Sequence, residues 1–277
     1  MRACVYFSNP HPFYMFLVMN SIKMLRNHNQ SIPIYLYFID TPPDIFNSEG
    51  LNSADGYDFN KYDKGEEFFT NFCNLFNVKV VCKPWKKDNL EYFPINKIYL
   101  CECEAESVVF LDADTFIFKD IEELFDANQK NDFIACNNPM PQDWRSDFLG
   151  TDLGTDLGTF NSGVMLFNNS VHKRIGPLWI NQCEETWHGD TELSNWIKNG
   201  NKWRTEEVSL SKVILDNDID FSYFPSSQVF LPKVKDDLKL YSTIVYHSFT
   251  QNWMKVYNLC QGISPRKIKF KNRLFKK

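Results

Sequence analysis

Four consecutive apolar residues, Val108-Val-Phe-Leu111, run directly into Asp112-Ala-Asp114. A strand with one wet face alternates apolar and polar residues, so an unbroken apolar run suits a central strand covered on both faces. Two carboxylates at i and i+2 then stand where that strand emerges. Burying them unpaired either carries a heavy desolvation cost or forces them to take protons. A divalent cation resolves the conflict, and hard oxygen donors select magnesium or manganese. Helix capping is the competing duty for an Asp at a strand end. Asp120 is better placed for it, ahead of a helix starting near Ile121 with Glu123 at the capping-box position. Asp112 and Asp114 are thereby left for a cation.

The surrounding segments alternate in type. Residues 3–8 read as a buried strand, Pro12 to about Arg26 as a helix, Ile32–Ile39 as a strand, Glu66–Phe76 as a helix and Val78–Cys82 as a strand. Pro94 to about Glu104 is a predicted helix, and the strand ending at Asp112 follows. Residues 41–63, rich in Pro, Asn, Asp and Gly, form a loop. This order predicts an α/β fold with a mostly parallel central sheet and helices on both faces, its ligands lying outside the carboxyl ends of the strands. Ser8 and Asn9 then fall beside Asp112 and Asp114. Farther on, Phe133–Cys136 and Phe160–Asn168 read as strands. Val171–Glu185 and Asp190–Lys198 read as helices, the second capped by Asp190 and stopped by Asn199-Gly200. The remainder mixes short strands with loops and includes the apolar run Ile244–Tyr246 leading into His247. Residues 151–158 repeat Thr-Asp-Leu-Gly twice, too short for a repeat architecture and tolerable as a loop duplication.

Length and composition fit one large globular domain, residues 1–263, with a tail at 264–277. The chain has 277 residues, 43 % of them hydrophobic, with 25 Phe, 12 Tyr and 7 Trp. A net charge of −5 argues against a general nucleic-acid binder. The tail SPRKIKFKNRLFKK opposes that charge, since it holds seven Lys or Arg and no acid. It reads equally as a peripheral membrane contact or as a solvated terminus. Several of the eight cysteines sit in apolar runs, and Cys101-x-Cys103 lacks the second pair that a zinc site needs. With no convincing secretory signal and no run of about 20 apolar residues, a reduced cytoplasmic setting is expected.

Taken in order, Lys97, Asp112-x-Asp114, Phe160-Asn-Ser-Gly163, Gly189-Asp190-Thr-Glu-Leu-Ser-Asn195 and His247 resemble the GT-A fold glycosyltransferases, specifically glycosyltransferase family 8, the family of glycogenin and of bacterial lipooligosaccharide galactosyltransferases. The resemblance spans most of residues 3–253. It implies transfer of a sugar from a nucleotide-sugar donor, UDP-linked, to a saccharide or glycolipid hydroxyl, with retention of anomeric configuration. The cofactor it implies is Mn2+ or Mg2+, held by Asp112, Asp114 and His247, with the imidazole favouring manganese. Ser8, Asn9, His11, Lys97, Asp112, Ala113, Asp114, Ser162 and Gly163 are the implied donor-binding residues. Asp190, beside the donor's anomeric carbon, and Asn161 are the implied catalytic ones.

The chain also departs from the family pattern. Thr191 stands where Gln is usual. His247 is followed by Thr250, Asn252 and Trp253 without the usual Gly, Lys and Pro, although Lys255 lies nearby. Strand one leads to Ser8-Asn-Pro-His11 rather than to acidic and Tyr contacts with uracil. An inverting enzyme with Asp190 as base and a sugar-nucleotide-binding protein without turnover are therefore carried as alternatives. A pyrophosphorylase would need a Gly-rich phosphate loop after strand one, and none is present. A glycosidase would need carboxylates across a cleft, farther apart than Asp112 and Asp114.

Overall fold

The structure, a computed structural model, describes residues 1–9, 12–40, 65–84, 93–137, 160–201, 205–231, 243–247 and 257. His11, the 41–63 loop, the 151–158 duplication, Cys260 and the basic tail lie outside the described residues.

A seven-stranded sheet forms the centre, in the order β3-β2-β1-β4-β7-β6-β8. The first four of these strands in space are β3 (Val78–Pro84), β2 (Ile34–Asp40), β1 (Arg2–Ser8) and β4 (Ser107–Leu111), all mutually parallel. Then β7 (Phe160–Phe167) runs antiparallel to both β4 and β6 (Phe133–Asn137), and β8 (Phe221–Tyr223) lies parallel to β6. The expected mostly parallel α/β sheet is present.

Alternation of side chains along β1, β2 and β4 divides the core into two layers. Cys4, Tyr6, Leu36, Val109 and Leu111 point to one face. There they meet Leu17, Val18, Ile22 and Leu25 of α1 (Pro12–His28) and Phe69 and Cys73 of α2 (Gly65–Leu75). Ala3, Val5, Tyr37, Val108 and Phe110 point to the other face. They pack against a 3-10 helix (Phe93–Glu102), α4 (Val171–His188) and α6 (Thr205–Asp216) through Ile98, Leu100, Ile175, Trp179, Leu210 and Ile214. Each such aliphatic or aromatic side chain withdrawn from water is worth about 1.5–3 kcal/mol. The unbroken apolar run of β4 follows from this two-sided burial.

A second, three-stranded sheet in the order β5-β10-β9 joins distant parts of the chain. It comprises β5 (Thr115–Ile117), β9 (Val229–Phe230) and β10 (Val245–His247), with β10 antiparallel to β5 and His247 opposite Thr115.

Several expectations need correction. The segment predicted as a helix from Pro94 is a 3-10 helix. The short helix α3 spans Glu122–Ala127, and Asp120 Oδ1 accepts from Glu122 N at 3.0 Å, so Asp120 does serve the helix start. The helix expected at Asp190–Lys198 is α5 (Glu192–Trp196), and its cap is Thr191, whose hydroxyl accepts from Ser194 N. Asn199 and Gly200 do not stop it, because the chain continues as a π-helical turn, Ile197–Asn201. The region read as short strands and loops contains the whole of α6.

Among the described residues all seven cysteines are free thiols. No helix among them is long and apolar enough to cross a membrane.

Candidate metal and donor site

Chain direction brings the site together at the carboxyl ends of the parallel strands. β4 ends at Leu111, and the next residues turn sharply: Thr115 N donates to Asp112 O at 3.2 Å and the Thr115 hydroxyl to the same oxygen at 2.8 Å. A chain of buried hydroxyls pins that turn to the core, with Thr115 Oγ1 2.8 Å from Ser21 Oγ and Ser21 Oγ 3.1 Å from Tyr6 Oη. On the other side, Asp112 N donates to Gly163 O at 2.8 Å. The pairing of β10 with β5 delivers His247 beside the acidic turn. Its Nε2 lies 3.1 Å from Asp114 Oδ1 and 3.7 Å from Asp112 Oδ2.

Asp112, Asp114 and His247 each offer one ligand atom within 4.8 Å of the others. Two carboxylate oxygens and one imidazole nitrogen form a hard-to-borderline donor set that suits manganese or magnesium. The surroundings fit the same group. Gly163 lies against the His247 ring so closely that a Cβ there would sit 2.5 Å from Nδ1 and 2.6 Å from Nε2. Glycine is thus required for the imidazole to occupy its place.

The electrostatics of the three groups follow from burial and mutual attraction. Burial works against the Asp114 carboxylate, but His247, by charge and by hydrogen bond, overcomes it and holds Asp114 below its ordinary value. Burial likewise disfavours the His247 imidazolium, yet Asp114 and then Asp112 raise its pKa. For Asp112 burial wins, and its pKa rises despite Lys97 and His247. Without a cation, His247 therefore supplies the positive charge that Asp114 needs. A bound cation would take over that charge and release the imidazole proton.

The structure adds a buried layer behind these groups. Lys97, only 5 % exposed, sits 3.2 Å from Asp112 Oδ1 and donates to Ser162 Oγ at 2.8 Å. Glu206, on α6, approaches Lys97 Nζ at 3.8 Å and Ser162 Oγ at 3.2 Å. Burial, opposed by Lys97 and reinforced by Glu207, pushes the Glu206 carboxyl up to about 8. The native protein therefore keeps a proton that the unfolded chain, with an ordinary value of 4.5, has already lost. A raised carboxyl favours folding most below the unfolded value and loses that advantage as pH rises through the folded one. The unfolding free energy is thus expected to fall between pH 5 and 8, by up to about 1.4 kcal/mol per pH unit from this group. Urea unfolding of wild type and Glu206→Gln across that range checks this, because the slope difference between the two isolates Glu206.

The other sequence-derived residues are placed as follows. Ser8 is buried at the end of β1 with its hydroxyl donating to Asn9 O at 3.3 Å, and Asn9 is also buried. Ala113 is buried between the two acids. Asn161 Oδ1 accepts from Gly163 N at 3.0 Å. Asp190, its side chain fully exposed, lies on the short loop before α5, 4.0 Å from Lys198 Nζ. No hydrogen bond or ion pair among the described residues joins it to the acidic turn.

Sequence reasoning missed Glu206 and Glu207. Two acids in a first helical turn usually answer the helix dipole from the surface, and nothing local marks these as buried.

Comparison with known proteins identifies the architecture. The chain is similar to the glycosyltransferase GlyE of Streptococcus pneumoniae TIGR4, with 16 % identity and TM-score 0.54, covering 91 % of this chain and 56 % of that one. It is similar to mouse xyloside xylosyltransferase 1, with 13 % identity and TM-score 0.51, covering 91 % and 99 %. It also resembles the bifunctional glycosyltransferase WbbM, with 11 % identity and TM-score 0.54, covering 89 % and 45 %. At these identities the likeness is one of fold, and the chain spans about half the length of GlyE and WbbM. No curated protein sequence matches it. The fold is that of the GT-A glycosyltransferases. Residues 11–186 match Glycosyl transferase family 8, and the chain belongs to that family.

Proposed function

We propose that this protein is a divalent-metal-dependent glycosyltransferase that moves a sugar from a nucleotide-sugar donor, UDP-linked, to a hydroxyl of a saccharide or glycolipid, with retention of configuration. The observation that carries the reading is the convergence of Asp112, Asp114 and His247 at the mouth of the sheet, within 4.8 Å of one another, in a family 8 chain.

Asp112, Asp114 and His247 would hold the cation, which supplies Lewis-acid stabilisation of the departing diphosphate. The protein's own groups prepare that site. The Asp112–Thr115 turn, fixed by Thr115 and Ser21, holds the two carboxylates on the same side of the strand end. The buried Lys97 balances the charge of Asp112, with its Nζ 3.2 Å from Oδ1 and 3.3 Å from Oδ2. Gly163 makes room for the imidazole. Asn161, its amide oxygen engaged by Gly163 N, fixes the backbone that borders the donor pocket, and its Nδ2 remains a donor toward a sugar hydroxyl. The exposed Asp190 is the candidate for contact with donor sugar or acceptor.

The test is a panel of nucleotide sugars scored for manganese-dependent release of nucleotide, with product anomers read by NMR. A UDP-sugar turned over only with the metal present, giving a retained product, supports the proposal. An inverted product ends the retaining part of it. Binding of a nucleotide sugar without turnover of any donor supports the binding-protein reading instead.

A further inference from the structure

The strand that carries Asn161, Ser162 and Gly163 does not pair evenly with its neighbour. Met165 of β7 lies opposite Ala135 of β6, yet Asn161 lies opposite Cys136. Ser162, Gly163 and Val164 therefore have no opposite residue on β6. A bulge of this kind takes backbone groups out of the ladder, and buried ones must find other partners. Side chains supply them. Gly163 N donates to Asn161 Oδ1 at 3.0 Å, and Ser162 N donates to Glu207 Oε1 at 3.0 Å. The same Glu207 oxygen lies 3.3 Å from Ser162 Oγ, whose single proton serves the two α6 carboxylates. Ser162 Oγ in turn receives Lys97, and Lys97 pairs with Asp112.

We infer that Glu207 is a positioning residue for the metal and donor site, acting as the hydrogen-bond tether that holds the Ser162–Gly163 bulge where His247 and Lys97 need it. This inference rests on the proposed metal site. The bulge fixes both sides of that site at once. Gly163 is the floor under the His247 ring, and its carbonyl receives Asp112 N. Ser162 is the seat of the Lys97 ammonium. Glu207 is 5 % exposed and reaches the bulge through Ser162, at its N–H and its hydroxyl. Its contribution is the length of its side chain and an acceptor oxygen, properties that a glutamine shares and an aspartate does not.

The test compares wild type, Glu207→Gln and Glu207→Asp by two readouts. One is Mn2+ affinity from the loss of the free-ion EPR signal. The other is hydrogen exchange of the Ser162 amide in metal-free protein. Glutamine is expected to keep the amide protected and most of the metal affinity. Aspartate, one methylene short, is expected to expose the amide and weaken manganese by about tenfold, the size of effect seen when groups supporting metal ligands are lost. If aspartate protects and binds as well as glutamine or better, charge rather than tethering is what the site needs, and the inference fails. If wild type takes up no manganese, the proposed metal site fails, while the exchange ranking still judges the tether.

Discussion

Asp114→Ala protein is expected to lose manganese-dependent turnover by roughly a thousandfold, the scale on which an electrostatic stabiliser of a leaving group is felt. It should also lose the rise in melting temperature that manganese and nucleotide give the wild type by mass action. A second effect appears without metal. Asp114 is the principal partner of His247, at 3.1 Å, and removing it leaves a buried imidazolium without that carboxylate. Breaking a buried pair in this way costs about 3 kcal/mol. The sign of its pH dependence is fixed by the raised pKa of His247. The pair stabilises fully below the unfolded value of 6.5, and the stabilisation fades as pH rises through the higher folded value. The variant should therefore melt well below wild type at pH 6 and approach it at alkaline pH. Turnover that survives the substitution would overturn the assignment of Asp114.

Gly163→Ala is expected to have nearly as large an effect from a single methyl group. The added Cβ would lie within 2.6 Å of the His247 ring nitrogens, far inside non-bonded contact distance, so the imidazole must move. The ring cannot retreat freely. It is 3 % exposed and sits at the end of β10, whose register with β5 is set by Val245 and Tyr246. Moving it breaks the contact with Asp114. A loss of manganese affinity of about a hundredfold is expected, at the upper end of effects from displacing the groups that orient a metal ligand. Far-UV circular dichroism should remain that of wild type, since β7 and its pairing with β4 persist. Calorimetric titration with manganese reads the change. Unaltered affinity in a folded Gly163→Ala protein would show that His247 does not bind from this position.

The parts of this molecule that were legible in sequence are those whose signal is local. The apolar run Val108–Leu111 announces a strand buried on both faces because both core layers close over it. Asp112 and Asp114 stand out because carboxylates are costly where that strand ends. His247 was picked out by the family resemblance, at the end of the short apolar run that is β10, while its partner β5 had no signal of its own. The helix α6 was hidden for a physical reason. Residues Thr205–Ser211 are all buried, polar and apolar alike, so no alternation of wet and dry faces marks it. Ser209 reaches Thr186 of α4 at 3.1 Å, and Ser162 of β7 meets both glutamates. Such pairings depend on tertiary neighbours that composition and spacing do not encode. Thr191 displaced Asp190 as a helix cap for a similar reason: the two adjoin in sequence, and geometry alone decided which side chain faced Ser194 N. The bulge at Ser162 had a partial sequence signal in Gly163, but the acceptor that completes it lies on a helix 45 residues away.

The proposed transfer requires a cation seated among Asp112, Asp114 and His247. Crystals grown with manganese and UDP, measured for anomalous scattering at the manganese edge, address it most directly. A single anomalous peak bounded by those three side chains and by the diphosphate is the predicted result. A diphosphate bound without an anomalous peak there, or with Asp114 and His247 still paired only to each other, would contradict it.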